Sequence, residues 1–308
     1  MIVVAGEALV DLIIGPDGTI SANGGGSSFN VARAIARLGV ACGFLSCLSD
    51  DLFGRMLRTK LVDDAVDLSL VRPTIAPTTL AVAELDPSGD ATYRFYLDGT
   101  SSFGLTDPPD ADVLAAAAAL HVGSLGLVVE PMAATLARIV AEAPGSLLVM
   151  ADPNCRPGTV ADRKIYTRRV MEVLRRADVV KASCEDLAYL LPGEQPVQAG
   201  RNILALGPTL VLVTDGARAV RILSAIAEEQ MPVPPADVVD TVGAGDAFGG
   251  AFLAWWVSHG LGRGELRDPG AVRDAVSAAI QVARMTTERR GADPPTAAEL
   301  AAALAALA

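Results

Sequence analysis

The chain has 308 residues, 51% of them hydrophobic, too apolar for a disordered segment and long enough to bury a large core. No uninterrupted apolar run reaches the roughly 18 residues that a membrane-spanning helix needs, which argues against a membrane partner. With 25 Lys and Arg against 36 Asp and Glu the formal charge is −11, there is no basic stripe, and aromatics are 4%, all of which argue against nucleic acid.

An acidic protein that binds a nucleotide has to supply positive charge locally, and magnesium and a few arginines are the candidates. The four cysteines, Cys42, Cys47, Cys155 and Cys184, form no C-x-x-C pair and no metal-ligand spacing, so free thiols in a reducing cytoplasm are expected. The start lacks a basic n-region and enters directly into a strand pattern at 2–4, unlike a signal peptide.

After that strand, Asp11 interrupts an apolar run from Ala8 to Ile14. It is either a strand-edge charge or a group that meets a polar ligand. Three glycines, Gly24 to Gly26, then lead into Ser27 and Ser28 as N-cap candidates. Phe29, Ala32, Ile35, Ala36 and Leu38 form the apolar face of a helix that stops at Gly39. Asn30 falls in its first turn, off that face; the segment is either a flexible turn before a helix or a place where a small polar molecule lies against bare backbone and Asn30 hydrogen-bonds its hydroxyls. A second amphipathic helix is expected to open at Asp50-Asp51 and run to about Val66. From Pro77 to Phe103 the character changes: strand-like runs at 78–85 and 92–97 flank the turn cluster 86–90, as in a small β appendage. Arg94, Tyr96 and Phe103 on it could reach a substrate or form a solvated hairpin surface.

Strands and helices then alternate, as a doubly wound sheet requires. Strands are expected at 120–123, 147–150, 178–181 and 210–214, with helices at 131–142 and 168–176. Ligands of open α/β sheets sit at the carboxyl ends of strands, which favours Asp152, Asn154 and Arg156; a salt-bridged surface arginine is the competing reading of Arg156. His121 and His259 are the only histidines, and no Ser/His/Asp set or metal cluster can be built from them.

The stretch Asp240-Thr241-Val242-Gly243-Ala244-Gly245-Asp246-Ala247-Phe248 opens a helical pattern that runs to about His259. Small residues at a helix start leave backbone N–H groups uncovered at the positive end of the dipole, an anion site. A carboxylate there repels a phosphate, so Asp246 reads as a general base that takes the proton from an attacking hydroxyl. The competing reading is an acid favoured in a first helical turn beside a glycine turn. No G-x-x-x-x-G-K-[ST] occurs, and the dinucleotide fingerprint fails because its third glycine position is Phe248. A long helix at 271–288 and a final alanine-rich helix capped by Thr296 close the chain.

The string from Asp240 to Phe248 resembles the carboxy-terminal signature of the ribokinase-like (PfkB) carbohydrate kinases, D-T-x-G-A-G-D-x-F, with every fixed position filled. The stretch from Gly25 to Gly39 is similar to the family's amino-terminal signature, and Asp152-Pro153-Asn154-Cys155-Arg156 to the D-x-N-x-R stretch of fructokinases and 2-keto-3-deoxygluconate kinases. The resemblance implies a single ribokinase-like α/β domain over 1–308, a mostly parallel doubly wound sheet with helices on both faces. A β lid at about 77–103, with a contribution from about 10–22, closes over the sugar and pairs many members into homodimers. It implies Asp246 as catalytic base, Gly243, Ala244 and Gly245 as the anion hole, and Arg156 on the transferred phosphoryl. Asp11, Gly25, Gly26 and Asn30 would bind the sugar. Lys181, Ser183, Asp186, Thr214, Gly216, Gly291 and Ala292 would face ATP. Asp186 would act on Mg²⁺ through water, and Asp240 with the backbone at Val242 on a monovalent cation such as K⁺. The family's N-x-x-E appears here as Ser183-x-x-Asp186, and the lysine that ribokinases proper carry in the glycine run is absent.

The expected function is transfer of the ATP γ-phosphate to a primary hydroxyl of a small sugar, fructose or a related keto sugar or sugar acid. The alternatives are a nucleoside kinase, or a non-catalytic sugar- or nucleotide-binding homologue. A Rossmann-type dehydrogenase is disfavoured by the missing fingerprint.

Overall fold

The structure, a computed structural model, describes residues 1–86 and 91–305. Its plan follows from alternation along the first strand, β1 (Ile2–Ala5): Ile2 and Val4 point into one apolar layer, Val3 and Ala5 into the other, and all four are buried.

The central eight-stranded sheet runs β14 (Glu228–Pro232), β13 (Ala219–Ser224), β12 (Leu210–Thr214), β11 (Val179–Ser183), β10 (Leu148–Asp152), β9 (Ala119–Gly123), β1 and β4 (Cys42–Leu45). From β4 to β12 neighbours are parallel, whereas β12, β13 and β14 form antiparallel pairs. That terminal meander was not anticipated, because β14 carries Glu228, Glu229 and Gln230 and lies at the sheet edge.

One face of the sheet is covered by α1 (Ser27–Arg37), α2 (Leu52–Asp63), α8 (Ala244–Ser258) and α9 (Pro269–Thr287), with Phe29, Ile35, Leu57, Phe252, Trp256, Val276 and Ile280 buried there. The other is covered by α4 (Met132–Ala141), α5 (Arg163–Leu174), α6 (Cys184–Leu190) and α7 (Pro196–Leu204), through Leu136, Ile139, Val170, Leu174, Leu187 and Ile203. Helix α3 (Ala111–Ala116) precedes β9, and α10 (Ala297–Ala305) ends the described chain. Thr296 and Glu299 exchange the hydrogen bonds of a capping box at the start of α10.

A second sheet of four strands, β3 (Ile20–Gly25), β2 (Leu9–Ile14), β7 (Leu80–Leu85) and β8 (Ala91–Tyr96), combines the segments at 77–103 and 10–22. Four of the five residues of the expected turn cluster between β7 and β8, 87–90, lie outside the described residues. A two-stranded pair, β5 (Cys47–Ser49) and β6 (Arg72–Thr74), lies beside it in the chain.

Three of the differences from the sequence reading have a clear local reason. Helix α5 starts five residues earlier than expected because the Asp162 side chain accepts from the amides of Lys164 and Ile165. Helix α2 stops at Asp63, before Ala65 turns left-handed at φ 62°. Neither Ser27 nor Ser28 caps α1: both are helical, and Gly26 at φ 102° holds the N-cap position.

Candidate active site

The N-termini of α1 and α8 converge on one carboxylate. Asp246 stands in the first turn of α8, and its Oδ1 accepts from Ser27 Oγ at 2.7 Å and from Asn154 Nδ2 at 3.1 Å. Its Oδ2 accepts from Asn30 Nδ2 at 2.9 Å. The side chain is buried among these polar groups, at the carboxyl ends of β1 and β10, and not in either apolar layer. Three donors and the positive ends of two helices all favour a negative charge at this point.

The turn that leads into α8 is shaped by Gly243, left-handed at φ 77°. A Cβ there would stand 2.4 Å from Ala292 Cβ, so no other residue fits. A left-handed residue followed by a helix start aims amides outward as an anion nest; here the Ala244 amide donates to the Thr241 carbonyl at 3.3 Å, and the Gly245 amide faces the nest. Beneath the nest lies Lys181, whose ammonium is 2.9 Å from the point a Cβ on Gly245 would occupy. Lys181 is buried and paired with Asp152 at 2.8 Å. Burial alone would lower its pKa, but Asp152, Asp186 and Asp246 outweigh that, raise it and hold the ammonium charged.

On the α1 side, Asp11 presses on the glycine run: a Cβ at Gly25 would fall 2.1 Å from Asp11 Oδ2. Burial pushes the Asp11 carboxyl up to about 6, Arg156 opposes the rise and Asp246 adds to it, so all three charges share one neighbourhood. Arg156 Nη1 donates to Asn154 Oδ1 at 2.7 Å and to Asn154 and Cys155 carbonyls. Asn154 itself is held at φ 34°. An acid, an amide nest over a buried cation and a mobile-proton acceptor within one pocket of structure can bind a phosphoryl group and deprotonate an alcohol beside it.

The pfkB family carbohydrate kinase profile spans residues 1–299. The chain belongs to that family. This carbohydrate kinase, a phosphotransferase with an alcohol acceptor, is 34% identical over 260 residues to a fructokinase of Rhizobium leguminosarum bv. trifolii, covering 82% of this chain and 79% of that one. Its fold matches fructokinase with bound ATP from Xylella fastidiosa at TM-score 0.91 and 27% identity, over 99% and 98% of the two chains. It also matches aminoimidazole riboside kinase from Salmonella enterica, complexed with aminoimidazole riboside and an ATP analog, at TM-score 0.83 and 27% identity over 98% of each.

Ser183 and Thr214 are directly paired at the ends of β11 and β12, and Gly216 begins the exposed turn after them. Asp186 is more constrained than expected: Oδ1 accepts from the Cys155 amide, and Oδ2 from the Ser183 amide and hydroxyl, closing a capping box on α6. Among the described residues no group of three His, Cys, Asp or Glu could hold a metal ion. Any magnesium ion would then be held by nucleotide phosphates and water, not by a cage of protein side chains. Asp240 Oδ1 accepts from the Val242 amide and Oδ2 from the Gly291 amide, fastening the turn before α8 to the loop that holds Ala292.

The second sheet corrects three expectations. Strand register aligns Asp11 with Asn23, Ala81 and Phe95, so the residues of β8 that share its face are Tyr93 and Phe95. Arg94 and Tyr96 project from the opposite face and are exposed. Phe103, in the turn after β8, is 2% exposed and belongs to the apolar layer with Leu105 and Leu125, which favours a core role over substrate contact.

Glu7 and Arg33 went unread in the sequence, and Ser27 was read there only as an N-cap candidate. Glu7 is fully buried and accepts from the amides of Ser27 and Gly126. Burial raises its pKa to about 7. The available signal was an acid at the edge of an apolar run, between Gly6 and Ala8, weaker than the interruption that marks Asp11. Arg33, also buried, donates to the Ala292 carbonyl at 2.7 Å and pairs with Asp64. His121 is buried below α8 with its pKa pushed down to about 3 by burial and by Lys181, which keeps it neutral and outside the chemistry.

Proposed function

We propose that this enzyme transfers the γ-phosphate of ATP to a primary hydroxyl of fructose or a related keto sugar or sugar acid. The observation that carries the reading is the position of Asp246, shared between the α1 glycine run and the amide nest above Lys181. Asp11, Gly25, Gly26 and Asn30 orient the sugar. Its hydroxyl gives its proton to Asp246 as the oxygen bonds to the γ-phosphorus, and the bond to the ADP oxygen breaks with its electron pair leaving on ADP. The amides of Gly243 to Gly245, backed by the Lys181 charge, hold the equatorial phosphoryl oxygens, and Arg156 approaches them from the β10 side. Magnesium, when bound with ATP, neutralises phosphate charge.

Several finer assignments belong to the same reading. Ser183, Thr214, Gly216, Gly291 and Ala292 line the nucleotide site. Asp240 and the Val242 backbone take K⁺, a role that suits two segments already tied by one carboxylate. The four-stranded sheet is a lid that closes over the sugar and excludes water, and its exposed face, with Arg94 and Tyr96, pairs two copies into a homodimer. Four free cysteines suit a cytoplasmic enzyme.

The test is ADP release across hexoses, pentoses, sugar acids and nucleosides, with Asp246→Asn alongside. Fructose or a related compound should give the highest kcat/KM, and the variant should lose several orders of magnitude in kcat with both affinities within a small factor. A nucleoside as the best acceptor would move the assignment to the alternative substrate class. Near-normal turnover of the variant would end the mechanism.

A further inference from the structure

The hydroxyl of Ser27 is engaged in a way its helical position does not require. At the first position of α1 its amide already donates to Glu7 Oε1 at 2.9 Å, so the helix start has its acceptor from another strand end. The hydroxyl crosses instead to Asp246, a residue 219 positions away in the chain.

The direction of each bond in this cluster is determined. Arg156 can only donate, and it donates to Asn154 Oδ1, so the amide nitrogen of Asn154 faces the other way. That nitrogen lies 2.9 Å from Ser27 Oγ and 3.1 Å from Asp246 Oδ1, and donates to both. Ser27 Oγ therefore accepts from Asn154, and its single hydrogen goes to Asp246 Oδ1. Oδ1 receives two donors, which fills both lone-pair positions of a carboxylate oxygen. Oδ2 receives only Asn30 and keeps one position open.

We infer that Ser27 is a positioning residue for the phosphoryl transfer: with Asn154 it saturates Asp246 Oδ1, fixes the carboxylate plane and leaves Oδ2 as the atom that takes the acceptor alcohol's proton. The inference rests on Asp246 being the base. Ser27 acts through Asp246 and makes no contact of its own with the reacting atoms. Glu7 supports it from behind, since its carboxylate fixes the Ser27 backbone and the Gly126 amide together.

The experiment is a double-mutant cycle in the full-length enzyme with fructose and ATP, comparing wild type, Ser27→Ala, Asp246→Asn and the pair. Loss of one charge-assisted hydrogen bond should lower kcat about 10- to 100-fold, with both KM values within about threefold. In the Asp246→Asn background the serine change should cost less than about twofold more, because the group it orients is gone. Ser27→Cys keeps the volume and only a weak donor, so it should fall nearly as far as Ser27→Ala while melting like wild type. A Ser27→Ala enzyme within twofold of wild type, an equal further loss on top of Asp246→Asn, or a rise confined to sugar KM would each overturn the inference. Near-normal turnover of Asp246→Asn alone would instead overturn the assignment of the base.

Discussion

The ammonium of Lys181 lies directly under Gly245, 2.9 Å from where a side chain at that glycine would begin, and is held there by Asp152 at 2.8 Å. A cation buried under an amide nest strengthens it for a phosphoryl group without meeting solvent, because Coulomb attraction is weakly screened in a dry site. Lys181→Met should therefore lower kcat by two to three orders of magnitude. It should also destabilise the protein by about 3–5 kcal/mol, since Asp152 is left buried without its partner. Gly245→Ala separates the two effects: the methyl group is wedged between the amide and the ammonium and pushes them apart, so activity falls while both members of the Asp152–Lys181 pair are kept. Urea melts and steady-state rates on the two variants check this. A Gly245→Ala enzyme with unchanged kcat would remove the nest from the mechanism.

Glu7 gives a pH dependence whose sign is determined. Burial raises its pKa from the ordinary 4.5 to about 7, so between those values the native state holds a proton that the unfolded chain has released. Its contribution is fully present below pH 4.5 and is lost as pH rises through about 7, a span worth roughly 3 kcal/mol. Asp11 and Asp152, both pushed up to about 6 chiefly by burial, act in the same direction. Unfolding free energy from urea titrations should fall from pH 5 to pH 7.5 in the wild type. In Glu7→Gln the fall should be visibly shallower. Equal slopes in the two proteins would mean that Glu7 is ionised in the fold.

Much of this was legible from residue order, and the exceptions have physical causes. Alternation and helical spacing located β1, β12, α4 and α9 to within a few residues, because each buries one or both faces and carries a continuous apolar signal. The fixed positions of two short signatures led to Asp246, Asn30 and Gly25. Strand register, however, is a relation between distant segments. Nothing local to 92–97 says whether Tyr93 or Arg94 shares a face with Asp11, and a one-residue offset exchanges every side chain. Ser27 looked like a cap because serine before a helix usually is one. The acceptor that redirected its hydroxyl lies at the far end of the sequence. Glu7 accepts only from the backbone amides of Ser27 and Gly126, and Arg33 donates to the backbone carbonyl of Ala292 besides pairing with Asp64, and backbone partners leave no trace in composition.

Arg33 joins the two halves of the site. Three residues along α1 from Asn30, it donates to the carbonyl of Ala292, the residue against which Gly243 packs, and pairs with Asp64. Neighbouring Arg37 reaches Asp64 and the Pro294 carbonyl, so α1 grips the loop at two points. Arg33→Met should lower stability by about 3 kcal/mol, less than a fully orphaned pair because Arg37 still faces Asp64. The loop at 291–294 should loosen, raising KM for ATP several-fold while KM for the sugar changes less than twofold. An equal rise in both would show that Arg33 matters only to the fold.

Arg156 has two kinds of neighbour, and its removal should be visible through both. Its guanidinium orients the Asn154 amide that donates to Asp246, and its charge holds the Asp11 carboxyl below the value that burial alone would impose. Arg156→Ala should lower kcat at least 100-fold, because the developing phosphoryl charge loses a cation and the base loses the residue that fixes Asn154. Without that cation Asp11 should titrate above its present value of about 6, so more of it is protonated near neutrality. A carboxylate accepts hydrogen bonds from sugar hydroxyls at both oxygens, whereas the protonated acid offers one fewer acceptor. Sugar affinity of the variant should therefore weaken most at pH 6 and recover toward the wild-type value by pH 8. ATP affinity should show no such recovery, since no phosphate contact depends on Asp11. Calorimetric titration with fructose at the two pH values is the decisive measurement. A pH-independent loss would mean that Arg156 touches the sugar directly and leaves Asp11 unaffected.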